Sequence, residues 1–246
     1  MSKKILLFLC GVFGALLITS SNVYATENLY YVNKNGVTLT QKEYDFIMDF
    51  YGVERYENMT QEDYEWIEEL NINTTDVVIE TIYDYENNLS RTTSHATSNK
   101  KISIAKSCSS ICTIITSVTW YTNPAVRSYD VIGARFVNTE LANDSITTKL
   151  YSSAGTITSS NIKTTSNGFG VSIKLPSGAT GISLDQKFYV NTGGYVYASY
   201  QHAITTVSLS TSLLYTIGNG GYGGVFNFYG DALGCYDQMG GVYITT

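Results

Sequence analysis

Hydrophobic and polar residues alternate in short runs along the second half of the chain. From Ile102 onward, apolar side chains recur at every second position, and clusters of Gly, Asn, Ser and Asp separate the runs. A period of two buries one face of a β-strand, and the separating residues favour turns. The pattern predicts a mainly β fold, an antiparallel β-sandwich or barrel-like domain over residues 102–246. The predicted strands are Ile114–Tyr121, Val131–Val137, Ile146–Tyr151, Phe169–Leu175, Lys187–Val190, Tyr195–Tyr200, Val207–Leu209, Leu213–Ile217, Val225–Tyr229 and Val242–Thr245.

Residues 26–86 follow a helical pattern instead. The segment Leu39–Ile47 recurs 20 residues later as Met59–Ile67. Each copy opens with a threonine able to cap a first helical turn, and an acidic residue three positions later completes a capping box. Apolar residues then follow at the spacing of one helix face. We predict a short acidic two-helix segment here, followed by a short strand over residues 77–83.

The stretch Asn35–Phe46, with the sequence NGVTLTQKEYDF, carries a resemblance to known proteins. It resembles a segment found after the signal peptide in uncharacterised secreted proteins of Gram-positive bacteria. The resemblance covers roughly residues 27–90. It implies export and shared processing, and it brings no catalytic residues or activity.

The N-terminus has the three parts of a secretory signal peptide. Lys3 and Lys4 precede a 14-residue apolar run, and a small-residue motif ends at Ala25. The run is too short to span a bilayer, which takes about 20 apolar residues. We therefore expect residues 1–25 to be removed and the mature chain to be secreted into the extracellular space, without a transmembrane span.

Charge divides the mature chain into two segments. Residues 27–98 hold 15 acidic and four basic residues, a net charge of −11, whereas residues 99–246 hold six acidic and nine basic residues, a net of +3. The polar stretch 87–101 between them is predicted to be a linker. The opposite charges would allow the segments to dock on each other or to attract separate partners. The overall negative charge argues against a nucleic-acid partner, since phosphate binding needs clustered Lys and Arg.

Three cysteines remain after removal of the signal peptide, and export favours disulfide formation. They are Cys108, Cys112 and Cys235. On a continuous strand, Cys108 and Cys112 would lie ~13 Å apart, too far to bond. The favoured pairing therefore joins Cys235 to one of them, and a turn would instead allow Cys108 to bond Cys112. Unpaired or reactive thiols are the remaining alternatives.

The sequence contains no established catalytic motif. Neither a Gly-x-Ser-x-Gly elbow nor a His-Glu-x-x-His helix is present, and the only histidines are His95 and His202. The cysteine spacing lacks the second pair that a zinc site needs. We therefore assign no catalytic or metal-binding residues and expect no cofactor.

Carboxylates offer one route to catalysis, because two of them can hydrolyse a glycosidic bond on a β scaffold. Arg127 lies three residues before Asp130, which predicts a local ion pair between them. An alternative function is therefore a carboxylate-based secreted hydrolase that depends on Asp130 or His202. The acidic residues of the β segment are Asp130, Glu140, Asp144, Asp185, Asp231 and Asp237.

Tyrosine is abundant, with 21 residues, and its placement indicates a binding function. Tyr195 and Tyr197 share one face of a predicted strand, where exposed rings would form a platform for a sugar or peptide. We therefore favour a secreted bacterial binding protein whose β-domain meets a carbohydrate or a protein surface.

The charge division supports another alternative, a membrane-active toxin or bacteriocin-like protein with an acidic pro-segment. The alternating, Ser/Thr-rich stretch Ile146–Leu175 has the pattern of an amphipathic hairpin that could meet a membrane surface. The negative charge of residues 26–98 would mask the positive β segment until its removal.

Overall fold

The computed structural model describes residues 29–75, 77–85, 98–206, 215–218, 225–237 and 242–246. Two antiparallel β-sheets pack face to face, and a helical layer covers the outer face of one of them. The predicted mainly β fold of the sandwich type is confirmed. The predicted signal peptide, most of the predicted linker and the predicted strand Val207–Leu209 lie outside the described residues.

The described ranges contain three helices, none of them long and apolar enough to cross a membrane. The helices are α1 (Gln41–Phe50), α2 (Val53–Asn58) and α3 (Gln61–Glu68). The strands are β1 (Tyr30–Val32), β2 (Thr38–Thr40), β3 (Val78–Tyr85), β4 (Ser98–Cys108), β5 (Ile111–Trp120), β6 (Tyr129–Val137), β7 (Thr147–Ser152), β8 (Gly155–Thr158), β9 (Ile162–Thr165), β10 (Gly168–Lys174), β11 (Ser183–Asn191), β12 (Tyr195–Gln201), β13 (Tyr215–Ile217), β14 (Phe226–Phe228) and β15 (Val242–Thr245).

The main core lies between a five-stranded and a six-stranded sheet. Their strand orders are β15-β12-β6-β10-β9 and β3-β4-β5-β11-β7-β8, and neighbouring strands are antiparallel. Alternate side chains of each strand point between the sheets, as the period of two predicts. The rings of Phe136, Phe169 and Phe188 meet there, with centroids 4.9–6.1 Å apart.

The β region begins earlier than the predicted start at residue 102. β4 starts at Ser98 and places Lys100 and Lys101, both buried, in the six-stranded sheet. Lys100 Nζ contacts the carboxylate of Asp237, and Lys101 Nζ donates to a backbone oxygen of α1 at 3.2 Å. Buried lysines are tolerated because they are paired, and hydrophobic periodicity does not register such pairing.

The stretch Ile146–Leu175 does not form the single amphipathic hairpin that the toxin hypothesis requires. Its first two strands, β7 and β8, pair in the six-stranded sheet, whereas β9 and β10 pair in the five-stranded sheet. Val171 and Ile173 are buried in the main core. The stretch therefore connects the two sheets along one side of the sandwich.

Both predicted helices begin with the predicted capping box. In α1, Thr40 Oγ1 accepts from the backbone N–H of Glu43, whose carboxylate accepts from the backbone N–H of Thr40. Thr60 and Asp63 repeat this arrangement in α3. The short helix α2 between them was not predicted. It follows Gly52, whose φ of 91° lets the chain turn after α1.

The helical layer, residues 29–75, packs its apolar face on the outer face of the six-stranded sheet. Ile47 and Ile67 are fully buried there against Ala105 of β4 and Ile115 of β5. These sheet residues alternate with side chains that point into the main core. The six-stranded sheet therefore buries apolar residues on both faces, like the middle layer of a three-layer protein.

Opposite charges meet across the same contact. Lys187 Nζ of β11 lies 2.7 Å from Glu69 Oε1, and Lys149 Nζ of β7 lies 3.1 Å from Glu62 Oε1. Surface ion pairs contribute only ~0–1 kcal/mol each. Apolar burial therefore supplies most of the stability of the contact, and the ion pairs help to set the position of the layer.

A third apolar cluster covers part of the outer face of the five-stranded sheet. The β13–β14 hairpin places Tyr215 and Phe226 against Val131 of β6. Gly170 is required beneath Tyr215, because a Cβ at this position would lie 2.6 Å from the tyrosine ring. The glycine therefore allows the hairpin to lie flat on the sheet.

The disulfide joins Cys108 to Cys112, and the favoured pairing of Cys235 with one of them is wrong. A hairpin turn separates Cys108 and Cys112, so they are directly opposed in the β4–β5 register, with Cα atoms 4.0 Å apart. Their separation along a continuous strand is therefore irrelevant. Cys235 is a free, half-buried thiol.

We predict that Ile67→Ala lowers the free energy of unfolding by ~2–5 kcal/mol, because it removes a fully buried side chain between α3 and the sheet. Urea denaturation followed by circular dichroism measures this change. The control Ile157→Ala, at a position 41% exposed, should change stability by less than ~0.5 kcal/mol. Equal effects from both substitutions would contradict the packing of the helical layer described here.

We predict that Cys108→Ser lowers the free energy of unfolding by ~2 kcal/mol, the value expected for a loop of about five residues. Cys235→Ser should have little effect. In urea, the mature chain should present one reactive thiol before reduction and three after it, measured by mass after alkylation. A thiol at Cys108 that reacts without reductant would rule out the Cys108–Cys112 bond.

Candidate ligand-binding cleft

A cleft of about 330 Å³ lies where the helical layer meets the sandwich. Ligand sites for small molecules have volumes of ~300–1,000 Å³, so this one suits a small ligand or the end of a larger one. Residues of α2 and its flanking turns form one wall, and β5, the β7–β8 turn and the start of β11 form the other. Seven serine and threonine residues line it, together with Tyr51, Glu54, Arg55, Asp63, Trp120 and Tyr151.

Arg55 connects the two walls. Its Nη1 lies 3.3 Å from Asp63 Oδ2 and its Nη2 lies 3.4 Å from Asp185 Oδ2, and the side chain is only 10% exposed. The guanidinium carbon lies 3.5 Å from the ring centroid of Tyr151, which adds a cation–π contact. One side chain of α2 therefore contacts α3, β7 and β11.

The two carboxylates around Arg55 are held by their own local structure. Asp63 is the third residue of α3 and accepts from the backbone of Thr60 in the capping box. Asp185 accepts from Ser117 Oγ of the neighbouring strand at 2.7 Å. The anions are thus positioned independently of Arg55, and the guanidinium is oriented by both of them.

Burial and ion pairing shift the pKa values of the two carboxyl groups in opposite directions. Burial raises the pKa of Asp185 above its usual value, and Arg55 only partly opposes this. Burial also acts on Asp63, but the charge of Arg55 and the backbone N–H of Thr60 outweigh it and lower the pKa. Asp63 is therefore ionised at neutral pH and paired with Arg55, an arrangement suited to orienting a donor rather than to transferring a proton.

Three buried polar atoms of cleft residues have no hydrogen-bond partner among the described residues. They are Arg55 Nε and the hydroxyls of Tyr51 and Tyr151. Leaving a buried polar atom unpaired costs about 1–3 kcal/mol, so a partner that supplies the missing bond gains that energy. Because Arg55 Nε can only donate, the partner must offer an acceptor there.

Trp120 links the cleft to a buried polar network in the main core. It lines the cleft, and its Nε1 donates to the hydroxyl of Tyr200 at 3.0 Å. That hydroxyl donates to the carboxylate of Asp130, and Lys100 Nζ lies 4.9 Å from the Trp120 ring centroid. The Trp120 indole therefore contacts polar groups on the side that faces the core, and its other side lines the cleft.

The structure brings together Asp130 and His202, the residues that the hydrolase hypothesis named. His202 Nδ1 lies 3.0 Å from the Asp130 carboxylate, which also accepts from the backbone N–H of Ala203. The predicted Arg127–Asp130 pair is wrong, because Arg127 donates to the backbone oxygen of Ala179 instead. Asp130 and His202 are buried, so their contacts favour a structural role at the end of β12.

The remaining acidic candidates lie in different environments. Asp185 and Asp237 are each paired with a cation, Arg55 and Lys100 respectively. Glu140 accepts from an asparagine side chain at 3.3 Å. The other two, Asp144 and Asp231, are exposed. In the parts of the chain that the structure describes, no three His, Cys, Asp or Glu side chains gather into a metal-binding cluster.

Tyr195 and Tyr197 lie on the outer face of the five-stranded sheet, on the side of the sandwich away from the cleft. Tyr195 is 39% exposed, and Tyr197 is half-buried. The ring of Tyr197 stacks on Tyr243 of β15, with centroids 5.6 Å apart, and the Arg135 guanidinium lies 5.9 Å from it. These residues form an aromatic surface, the tyrosine platform, and its role in binding stays a prediction.

Sequence patterns did not identify the cleft. Arg55 and Asp185 are 130 residues apart, and no local motif connects them. The one local signal at the site is the second capping box, which positions Asp63 for reasons of helix stability.

No protein-family model and no curated protein sequence matches the chain. The collagen-binding domain of the surface protein RspB from Erysipelothrix rhusiopathiae is 9% identical over 52% of this chain and 49% of that one, with a TM-score of 0.32. A structure of the pilus backbone protein RrgB from Streptococcus pneumoniae is 9% identical over 53% of this chain and 32% of that one, with a TM-score of 0.25. The chain therefore spans half or less of the length of these structures.

We predict that Arg55→Met lowers the free energy of unfolding by ~3–5 kcal/mol at pH 7, because Asp185 is left as an uncompensated buried charge. Burial raises the folded-state pKa of Asp185, so its protonated form favours folding. The deficit should therefore be small below the ordinary aspartate pKa of about 3.9 and grow as the pH rises towards 7.

Urea denaturation at several pH values measures the deficit, with Arg55→Met/Asp185→Asn as the control. The double variant removes the buried charge, so its deficit should depend less on pH than that of Arg55→Met. A deficit of Arg55→Met that is the same at pH 4 and pH 7 would argue against the ion pair.

Proposed function

We propose that this chain is an exported bacterial ligand-binding protein and that the cleft beside Arg55 binds a carbohydrate. The observation that carries the proposal is the set of three buried, unpartnered polar atoms in residues that line the cleft: Arg55 Nε and the hydroxyls of Tyr51 and Tyr151. A ligand with several hydroxyl groups supplies acceptors and donors to such atoms. The 25-residue signal peptide expected from the sequence supports an extracellular ligand.

The composition of the cleft suits a sugar. Seven Ser and Thr residues and three aromatic residues line it, so hydroxyl groups and ring faces are close together. Sugars present the same combination, with polar hydroxyl edges and apolar C–H faces. Small-molecule sites commonly combine apolar and aromatic walls with a few fixed polar groups, which here are Arg55 and its partners.

The tyrosine platform is a second candidate binding surface. The stacked rings of Tyr197 and Tyr243, with Tyr195 beside them, could support a ligand from the opposite side of the sandwich. Aromatic side chains give large contact areas at little entropic cost, which favours their use in binding. We expect the cleft to be the primary site, because it is concave, whereas the tyrosine platform is a sheet face.

The alternative functions have less support. A removable acidic pro-segment would have to leave a sheet face on which Ala105 and Ile115 are fully buried by the helical layer. Exposing such a face is costly, at roughly 25 cal/mol for each Å² of apolar surface. The hydrolase hypothesis depends on Asp130 and His202, both buried in the main core.

We predict that Thr156→Phe weakens carbohydrate binding at least about tenfold, or 1.4 kcal/mol, because Thr156 lines the cleft and a phenyl group would fill part of it. The ligand is first identified on a glycan array and then titrated by calorimetry. Thr158→Phe is the matched control. Thr158 is exposed on the same strand but lies outside the cleft, so this variant should bind within about twofold of the native protein.

Two outcomes would change the proposal. If no glycan binds at millimolar concentration, the carbohydrate assignment fails. If Thr156→Phe binds normally while Tyr195→Ala or Tyr243→Ala does not, the tyrosine platform is the binding site instead.

A further inference from the structure

We propose that the cleft selects uncharged sugars and rejects acidic ones, with Arg55 Nε as the donor that contacts the ligand. This inference rests on the proposed function and names the ligand class of the same site. It concerns sugars that differ only in a carboxylate, such as glucose and glucuronic acid. An exposed arginine would favour the acidic form, so the preference is opposite to the one that an arginine in a sugar site usually suggests.

Acidic side chains outnumber basic ones around the cleft. Arg55 contributes one positive charge, and Asp63 and Asp185 contact it with one carboxylate each. Of these two carboxylates only Asp63 lines the cleft, and Glu54 adds a second one to the lining, beside Gly181. Arg55 is the only cation among the residues that line the cleft, so the site has an excess of negative charge before any ligand binds.

The contacts of the guanidinium group limit how Arg55 can bind a ligand. Both terminal nitrogens of Arg55 are engaged with carboxylates, so the two-pronged contact that arginine normally makes with an anion is not available. Nε is the one guanidinium nitrogen that has no hydrogen-bond partner among the described residues. A hydroxyl or ring oxygen of a neutral sugar can accept the hydrogen bond from Nε, and it brings no additional charge into the cleft.

The side chain of Arg55 has little contact with solvent. Arg55 is about nine-tenths buried, and its pKa is raised because the surrounding charges, Asp185 first, outweigh the lowering effect of burial. Electrostatic interactions are stronger there than in water, since the effective dielectric constant is lower. A ligand carboxylate would then face Asp63 and the exposed Glu54 in the cleft, with Asp185 behind Arg55, and it would also lose its own hydration.

The experiment uses pairs of sugars matched in shape. The native protein is titrated with glucose and glucuronic acid, galactose and galacturonic acid, and oligosaccharides of each type if monosaccharides bind too weakly. Trp120 lines the cleft, so its fluorescence reports binding, and Trp66→Phe leaves Trp120 as the one tryptophan in the chain. We expect neutral sugars to bind at least about tenfold more tightly than their acidic counterparts.

Charge variants test the cause of the preference. Glu54→Gln removes one negative charge from the cleft lining and should reduce the neutral-to-acidic affinity ratio about threefold or more. Glu57→Gln is the control, because Glu57 is an exposed carboxylate of the same helix that does not line the cleft. It should leave the ratio unchanged within about twofold.

A further variant tests the donor arrangement. Tyr51→Phe removes only the unpartnered hydroxyl, and it should weaken binding of the neutral sugar about threefold to tenfold. This substitution keeps the ring in place, so a circular dichroism spectrum and unfolding curve like those of the native protein are expected. Unchanged neutral-sugar affinity in Tyr51→Phe would overturn the assignment of this side of the cleft.

The outcomes separate this inference from the proposed function. If acidic sugars bind as tightly as neutral ones or more tightly, with Thr156→Phe still blocking both, the cleft is a sugar site and the charge selection is wrong. If neither type binds, the proposed function fails and the selection fails with it. A ratio that changes equally in Glu54→Gln and Glu57→Gln would assign the preference to overall charge instead of the cleft.

Discussion

A guanidinium group buried between two layers of a protein has to be neutralised where it lies, and this constraint at Arg55 determines how the helical layer meets the sheet. Asp63 supplies one carboxylate from the helical side and Asp185 supplies the other from the sheet. A buried charge without a partner costs several kcal/mol, and the placement of the layer in this structure satisfies all three groups. The same placement leaves a cleft beside Arg55, so the position of the candidate site follows from the stability of the contact.

Local patterns predicted the elements well and their tertiary contacts poorly. The period of two located most strands, and the threonine capping boxes located α1 and α3, because both signals arise within a few residues. The pairings of Lys100 with Asp237 and of Arg55 with Asp185 join residues more than 100 positions apart. The sheets also place side by side strands that are not consecutive in the sequence, such as β5 and β11. The favoured disulfide was wrong for a different reason, because a hairpin turn and the β4–β5 register, not the spacing along a continuous strand, decide the pairing of Cys108 with Cys112.

The two predicted charge segments are parts of one folded unit. Lysines of the β segment that would give it a positive surface, such as Lys149 and Lys187, contact the acidic helical layer instead. The charge difference therefore describes an internal contact. This also explains why an arginine inside the cleft does not make it positive, because the nearby acidic residues outnumber it.

The distance of 130 residues between Arg55 and Asp185 also has a consequence for folding. The helical layer is the first described part of the chain to be synthesised, but β11, which lies between β5 and β7 in the sheet beneath it, follows much later. Contacts this far apart in sequence form slowly, so the apolar face of the helices stays uncovered during that interval. The net charge of −11 on residues 27–98 then makes copies of the unfolded chain repel one another, which limits aggregation until the sheet is complete.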